Sequence, residues 1–160
     1  MVWENVIEWS DAERVSSLAR RIWKEHYSPL ISAEQLEYMI SSHQSSSAIQ
    51  DRIREGYQYF LVSENGKDLG YFAYVFRNDG IYLDKAYLLP EARGRRIFSS
   101  FLKRLEGLGK RRIYLSVNSQ NRSSIQIYQT AGFRICGQVK NDFGAGAVFT
   151  DYVMERFSDL

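Results

Sequence analysis

The chain predicts an α+β fold, an α/β/α sandwich in which one mixed, mostly antiparallel sheet of six to seven strands carries helices on both faces. Three observations predict it. The first 56 residues hold a short extended run and then helical patterns that begin at capping boxes. Residues 57–89 hold three apolar runs separated by Asn65-Gly66 and Asn78-Asp79-Gly80, which are hairpin turns. From residue 90 onward helical and extended patterns alternate and end in two adjacent strands.

Val2 to Trp9 alternates as a first strand. Ser10-Asp11-Ala12-Glu13 is a capping box, and Val15, Leu18, Ala19, Ile22 and Trp23 follow at helical spacing until Pro29 breaks the run. Ser32-Ala33-Glu34-Gln35 caps a second helix with Leu36, Met39 and Ile40 on one side, and Ala48 to Glu55 adds a short third. The serine-rich stretch 41–47 is a helix end and loop. Strands are expected over 57–64, 69–76 and 81–89, a helix over 93–108, a strand over 112–117, a helix over 121–131, and strands over 133–140 and 147–157. No repeat or linker divides the chain, so residues 1–160 are expected to form a single domain.

The bulk properties are those of a globular domain: 44% hydrophobic residues, 25% charged, and a formal net charge of +2. That charge is too small to imply binding to nucleic acid or to a membrane surface. No apolar run approaches the ~20 residues of a membrane span, and Met1 to Asn5 shows no signal-peptide pattern. Cys136 is the only cysteine, which excludes an intramolecular disulfide and fits a cytoplasmic protein. His26 and His43 are isolated, no spacing suggests a metal, and neither a Gly-x-Ser-x-Gly elbow nor a Walker loop is present.

Chemistry concentrates in residues 88–133. A strand ending at Leu88-Leu89-Pro90 passes through Arg93-Gly94-Arg95-Arg96 into a helix. The first N–H groups of a helix lack intrahelical partners and carry partial positive charge, so this junction is suited to an anion such as a pyrophosphate. The bland alternative is an ordinary connection with a solvated basic face, to which Lys103, Arg104, Lys110, Arg111 and Arg112 also belong. Farther on, Asn121, Ser124, Tyr128, Gly132 and Phe133 place a phenol on a helix just after a strand that ends at Asn118.

Together these segments resemble the acyl-CoA site of the GNAT superfamily of N-acetyltransferases, and the chain looks like a small single-domain bacterial-type member. The second segment matches the family's Asn-x-x-Ala/Ser-(x)3-Tyr-(x)3-Gly-Phe run at every fixed position. In the first, aligned on Arg93, the family's two small positions fall on Arg96 and Phe98. The resemblance implies acetyl-CoA as co-substrate, with no metal, and an amine acceptor: a small molecule, a polyamine or a peptide amine. It assigns Arg93, Gly94, Arg95, Arg96, Ile97, Phe98 and Ser99 to the pyrophosphate loop and Asn118, Asn121 and Ser124 to the pantetheine arm. It makes the Leu88 N–H the donor to the thioester oxygen, with Leu89 beside it, and Tyr128 the acid that protonates the departing thiolate. Many relatives are dimers, so a homodimer is part of the same expectation.

The general base is left to Asp84, in the otherwise apolar and aromatic run Ile81 to Tyr87; pairing with Lys85 or a neighbouring strand is the equal alternative. Simple alternation puts residues 82, 84, 86 and 88 on one face and 83, 85 and 87 on the other. The closing run, Thr150 to Arg156, resembles an Asp-Tyr-x-Met-Glu strand of some bacterial members, so Asp151 and Tyr152 are expected to line the acceptor pocket. With Glu34, Glu37 and Asp142 they would form an acidic mouth for a polyamine or lysine-like amine. By analogy with the family, Tyr27, Trp23, Leu36 and Met39 wall that pocket; they would serve equally as core. The competing functional reading is a catalytically impaired acyl-CoA-binding or regulatory module on the same fold. A third, a nucleic-acid patch at the Arg-rich loop, is disfavoured by the low net charge.

Overall fold

Asn65 and Gly66 both take positive φ, 53° and 76°, the conformation of a tight two-residue hairpin turn. They join β2 (Gln58–Glu64) to β3 (Lys67–Arg77), and the turn before Gly80 joins β3 to β4 (Gly80–Leu88). The computed structural model describes residues 1–158; Asp159 and Leu160, the last two positions of the expected domain, lie outside the described residues. Around that antiparallel trio the sheet grows to seven strands, with β1 (Val2–Asn5) on one edge and β5 (Arg112–Asn118), β7 (Val148–Phe157) and β6 (Arg134–Asp142) on the other. The order is β1-β2-β3-β4-β5-β7-β6, and every pairing is antiparallel except β4 with β5.

Helices α1 (Trp9–Tyr27), α2 (Ala33–His43) and α3 (Ser46–Arg54) cover one face. Helix α4 (Ile97–Glu106) covers the other, burying Ile97, Phe101, Leu102 and Leu105 against Phe72, Ile81 and Leu83, with Phe101 stacked on Phe72 at 4.3 Å. Each such side chain contributes about 1.5–3 kcal/mol by leaving water. The last helix, α5 (Arg122–Thr130), packs Ile125 and Tyr128 on the α4 side but buries none of its residues fully.

Three helix starts differ from expectation by two residues or more; α3 begins at Ser46, not Ala48, because the Ser45 hydroxyl accepts the Ala48 N–H at 3.1 Å and caps it there. α1 begins at Trp9, not after Ser10, because the Asp11 carboxylate reaches back to accept the N–H groups of Ile7 and Glu8 at 3.2 Å. The first strand accordingly stops at Asn5. α4 begins at Ile97, not residue 93, because Pro90–Ala92 forms a separate 3-10 turn and Arg93 to Arg96 are spent in a loop. The capping box at Ser32 and Gln35 is present as expected, with reciprocal contacts of 3.1 Å.

The site is made by a fault between β4 and β5. They pair only at Ile81–Ile113 and Tyr82–Tyr114, and then diverge. Gly80, at φ 143°, lets β4 begin tight against β5; a Cβ there would strike the Arg112 carbonyl. Two residues beyond the last β4–β5 pair, the β3–β4 register slips: Ala73 faces Lys85 while Tyr74 faces Leu83, leaving Asp84 as an extra residue. Such a bulge bends and twists its strand. It also resets the alternation, so Ile81 and Leu83 share the α4 face with Ala86 and Leu88, while Tyr87 and Leu89 face α1. The expected grouping of residues 82, 84, 86 and 88 on one face is thereby corrected.

Candidate functional site

Where β4 and β5 part, a cleft of about 550 Å³ opens. One end meets the start of α4 and the inner side of α5; the other meets α1, Asn141 at the end of β6 and Phe143 in the turn to β7. Its geometry follows from the backbone first.

The loop into α4 is a set of donors. From Gly94 to Ser99 no backbone N–H has a partner among the described residues; the first helical bond is Ser100 N–H to the Arg96 carbonyl at 3.1 Å. Gly94 takes φ 75° and Arg96 φ 61°, ψ 22°, the left-handed region. The residue standing at one of the family's small positions therefore keeps the backbone conformation that glycine favours, at a cost of about 1–2 kcal/mol. Six N–H groups at a helix start form an anion cradle.

Side chains around this cradle divide sharply. Arg93 lines the cleft and pairs with Glu25 of α1 at 3.3 Å. Arg95 turns away and grips Glu64 of β2 through contacts of 2.7 and 2.8 Å. Arg104 lies over the rings of Trp3 and Phe60, and Arg112 is tied to Asp79 and Glu155. The side chain of Arg96, in contrast, has no partner among the described residues and stands exposed beside the free amides. The Ile97 side chain is core and Ser99 is exposed; of residues 93–99 only Arg93 and Phe98 line the cleft, and Gly94, Arg95, Arg96, Ile97 and Ser99 do not.

Leu88 is placed by register. Leu89 donates its N–H to Leu69 at 2.8 Å, so the neighbouring pair Leu88–Gly70 is a non-bonded one. Alternation in an antiparallel ladder then turns the Leu88 N–H away from β3, toward the opening. Leu89 itself is buried on the α1 side.

On the β5 side, Asn118 is 9% exposed; its Oδ1 accepts the Gln120 N–H at 2.8 Å, while its Nδ2 is buried without a partner. A buried orphan donor costs about 1–3 kcal/mol. It lines the cleft, where a carbonyl of an extended ligand would satisfy it. Asn121 caps α5, its Oδ1 accepting from Ser124 N–H at 3.2 Å and Ser123 Oγ at 3.3 Å. Both Asn121 and Ser124 line the cleft.

Tyr128 points from α5 into the same space, between Phe98 at 5.4 Å and Phe133 at 6.0 Å, both edge-on. The residue keeps part of its surface exposed, but protein crowded round the phenol withholds water and pushes it up to about 12. Phe98 is neither sunk in the core nor free: it packs at the core's rim and walls the cleft.

Asp84 faces α3. Arg52 donates to its Oδ2 at 2.6 Å and Lys85 Nζ lies 3.3 Å from the same oxygen, so the alternative of pairing is present in the structure. Asp151, on β7 opposite Asn118, is 6% exposed and lines the cleft. Its one hydrogen bond is from Asn141 Nδ2 at 3.2 Å, no cation pairs with it among the described residues, and burial raises its pKa. Tyr152 goes the other way: strand alternation sets it on the α4 face, packed on the core and outside the cleft. The acidic mouth does not assemble either. Glu37 is bound to Arg20 at 2.7 and 2.9 Å, Asp142 accepts from Gly144 N–H, Glu34 is exposed, and none of the three reaches the cleft.

Tyr27 does line the cleft, at the end formed by α1, with Trp23 at 5.3 Å and Phe149 at 5.4 Å; Leu36 and Met39 are core. Burial, and secondarily the Asp151 charge, raise the Tyr27 phenol. Sequence reasoning missed Phe143, which stands edge-on to Trp23 at 5.8 Å, and His26, edge-on to Tyr27 at 4.7 Å. Both lie outside any motif, and nothing in their spacing could have found them. His26 is lowered by burial and by Arg93, hence neutral at pH 7.

Among the described residues no helix is long and apolar enough to cross a membrane. The description of the acetyltransferase (GNAT) family matches residues 12–133. Proteins named as uncharacterized N-acetyltransferases from Mycobacterium tuberculosis and Mycobacterium bovis are 26% identical over 92% of this chain and 97% of theirs. A PaiA N-acetyltransferase from Thermoplasma acidophilum, solved with coenzyme A, superposes with a TM-score of 0.78 at 22% identity, covering 99% of this chain and all of that one. The ribosomal-protein-S18-alanine N-acetyltransferase of Escherichia coli gives 0.69 at 16% identity, over 99% of this chain and 94% of its own. These two likenesses concern the fold alone. The match over residues 12–133 makes the chain a member of the GNAT acetyltransferase family.

Proposed function

We propose that this protein transfers the acetyl group of acetyl-CoA to a primary amine, by direct attack with both substrates held in the cleft. The observation that carries the reading is the nearness of three things: the loop of partnerless N–H groups at the start of α4, whose Arg93 and Phe98 line the opening, the splay of β4 from β5, and the orphaned Asn118 amide. The residues present fit a coenzyme A. The Gly94–Ser99 amides and the free Arg96 guanidinium match a pyrophosphate. Asn118, Asn121 and Ser124 offer polar groups to a pantetheine arm.

Bound acetyl-CoA supplies an activated acyl group; the protein supplies position and charge. The Leu88 N–H, aimed into the opening, steadies the carbonyl oxygen as negative charge grows on it. Tyr128 stabilises the leaving sulfur. A phenol at about 12 is fully protonated at pH 7 and is a ready donor. Outright transfer of its proton to a thiolate near 8.5 would run about 5 kcal/mol uphill. The role that follows is a hydrogen bond to the developing thiolate, with the proton on sulfur coming in the end from the attacking nitrogen. Asp84, held by Arg52 and Lys85, fixes the bulge that opens the cleft.

Thiol release from acetyl-CoA, measured against a panel of monoamines, polyamines and peptide amines, tests the reading. Turnover above the amine-free rate is expected. Calorimetric binding of acetyl-CoA with no turnover across the panel would favour the binding or regulatory module instead, to which Arg96 and Phe98 at the family's small positions point. Absence of binding would contradict both.

A further inference from the structure

The acceptor end of the cleft contains one buried acid that the fold leaves unmatched. Asp84, the other carboxylate near β4, is held by two cations, and Glu25 at the mouth is engaged by Arg93. Asp151 has neither: it is 6% exposed, its Oδ2 takes a single neutral hydrogen bond from Asn141, and its Oδ1 has no partner among the described residues. A carboxylate buried without a cation is costly unless a positive group arrives to meet it. It stands directly across the β5–β7 ladder from Asn118, whose free amide faces the same cleft, so a cation bound by Asp151 lies beside the space assigned to the acyl donor.

We propose that Asp151 anchors the ammonium of the acceptor and is the base that frees its nitrogen for attack. This rests on the acetyl-transfer reading and completes it. The ammonium gives one proton to the Asp151 carboxylate, and the exposed lone pair forms the C–N bond while the C–S pair leaves on sulfur. A second N–H proton ends on the thiol, and the proton on Asp151 passes to water. Among the described residues only this one free acid serves the acceptor end, and the wall around it is aromatic: Tyr27, Trp23 and Phe143. The site therefore selects a monoamine whose nitrogen sits on an apolar or aromatic carbon frame over a polyamine, whose further charges find no partner.

Other titratable groups share the cleft. From α1 come Glu25, His26 and Tyr27; from β4, Tyr82, Asp84, Lys85 and Tyr87; from the loop before α4, Arg93; and from α5, Tyr128. His26 is the rival base, neutral at pH 7 and so without the negative charge that would hold an ammonium.

The test compares wild type with Asp151→Asn, Asp84→Asn and His26→Gln, using phenethylamine, n-hexylamine and spermidine with acetyl-CoA. Asp151→Asn is expected to lower kcat/KM by about 100-fold or more for every amine that reacts, and to abolish the acidic limb of the kcat/KM–pH profile. That limb persists in Asp84→Asn and His26→Gln, and phenethylamine outpaces spermidine in wild type. Adding phenethylamine also moves the Asp151 carboxyl carbon resonance. Retention of kcat/KM within about threefold by Asp151→Asn, loss of the limb in His26→Gln instead, or a carboxyl signal that no panel amine moves would overturn the proposal. Calorimetry separates the two levels. Failure of acetyl-CoA to bind, with the Asp151 signal still responding to amine, would sink acyl transfer and leave the anchor standing.

Discussion

The ring of Phe98 meets the ring of Tyr128 edge-on, with centroids 5.4 Å apart. One comes from the first turn of α4, where the family carries a small residue, and the other from α5. The bulky side chain thus occupies space in the cleft and at the same time buttresses the phenol. Replacing Phe98 by Ala removes a pair interaction of about 0.5–1.5 kcal/mol and frees Tyr128 to turn. Steady-state kinetics should then show kcat reduced by about 3- to 10-fold, while the acetyl-CoA dissociation constant, measured by calorimetry, stays level or falls.

Tyr128→Phe keeps the ring and its contacts with Phe98 and Phe133 and deletes only the hydroxyl. Loss of a single preorganised donor typically costs about 10²-fold in kcat or more. Because burial holds the phenol at about 12, wild-type kcat should show no loss of the donor up to pH 10, where an ordinary tyrosine would be half ionised. A pH–rate profile that falls through pH 9–10 in wild type and not in the variant would go against this assignment.

Arg96 carries two opposed effects. Its left-handed backbone costs about 1–2 kcal/mol, of which glycine would recover part after paying its own chain entropy. Its partnerless guanidinium is available to a phosphate at about 1.5–3 kcal/mol for a charge-assisted bond. Arg96→Gly should therefore unfold at an equal or higher denaturant midpoint and yet bind acetyl-CoA about tenfold or more weakly. A variant that lost stability and kept its affinity would reverse both assignments.

How much of this was legible in the sequence depends on whether the cause was local. The Asn65-Gly66 turn and the Ser32–Gln35 box are set by short-range chemistry, and each appears where its residues predict. The Arg93–Phe98 loop was likewise found by pattern, but its pattern could not say that Arg95 would be claimed by Glu64, 31 positions away, while Arg96 stayed free. The bulge at Asp84 was invisible, since simple alternation has no register to slip until β3 lies beside β4. The isolation of Asp151 was equally hidden: it is a statement about which cations fail to arrive. Glu34, Glu37 and Asp142, grouped with it by charge alone, found other partners or solvent.

Asp151 also makes a stability prediction. Its pKa is raised in the fold, so the native state binds its proton more readily than the unfolded chain does. Above the folded pKa the buried charge destabilises; that penalty shrinks as pH falls through the folded pKa and is gone below the ordinary aspartate value of about 3.9. Thermal denaturation at pH 7 should show Asp151→Asn melting above wild type, with the gap narrowing as the buffer is acidified. A lower melting temperature at pH 7 would mean that the carboxylate is satisfied in a way its single neutral partner does not suggest.

The claim on which the rest depends is that the start of α4 and the parted strands hold the acyl donor. Its most direct measurement is a titration of the isotopically labelled protein with acetyl-CoA, followed through backbone amide resonances. Saturable shifts at micromolar ligand, concentrated on the amides of Gly94 to Ser99 and on Leu88, are predicted. Silence at those seven amides, or saturable shifts confined to another face of the sheet, would contradict it.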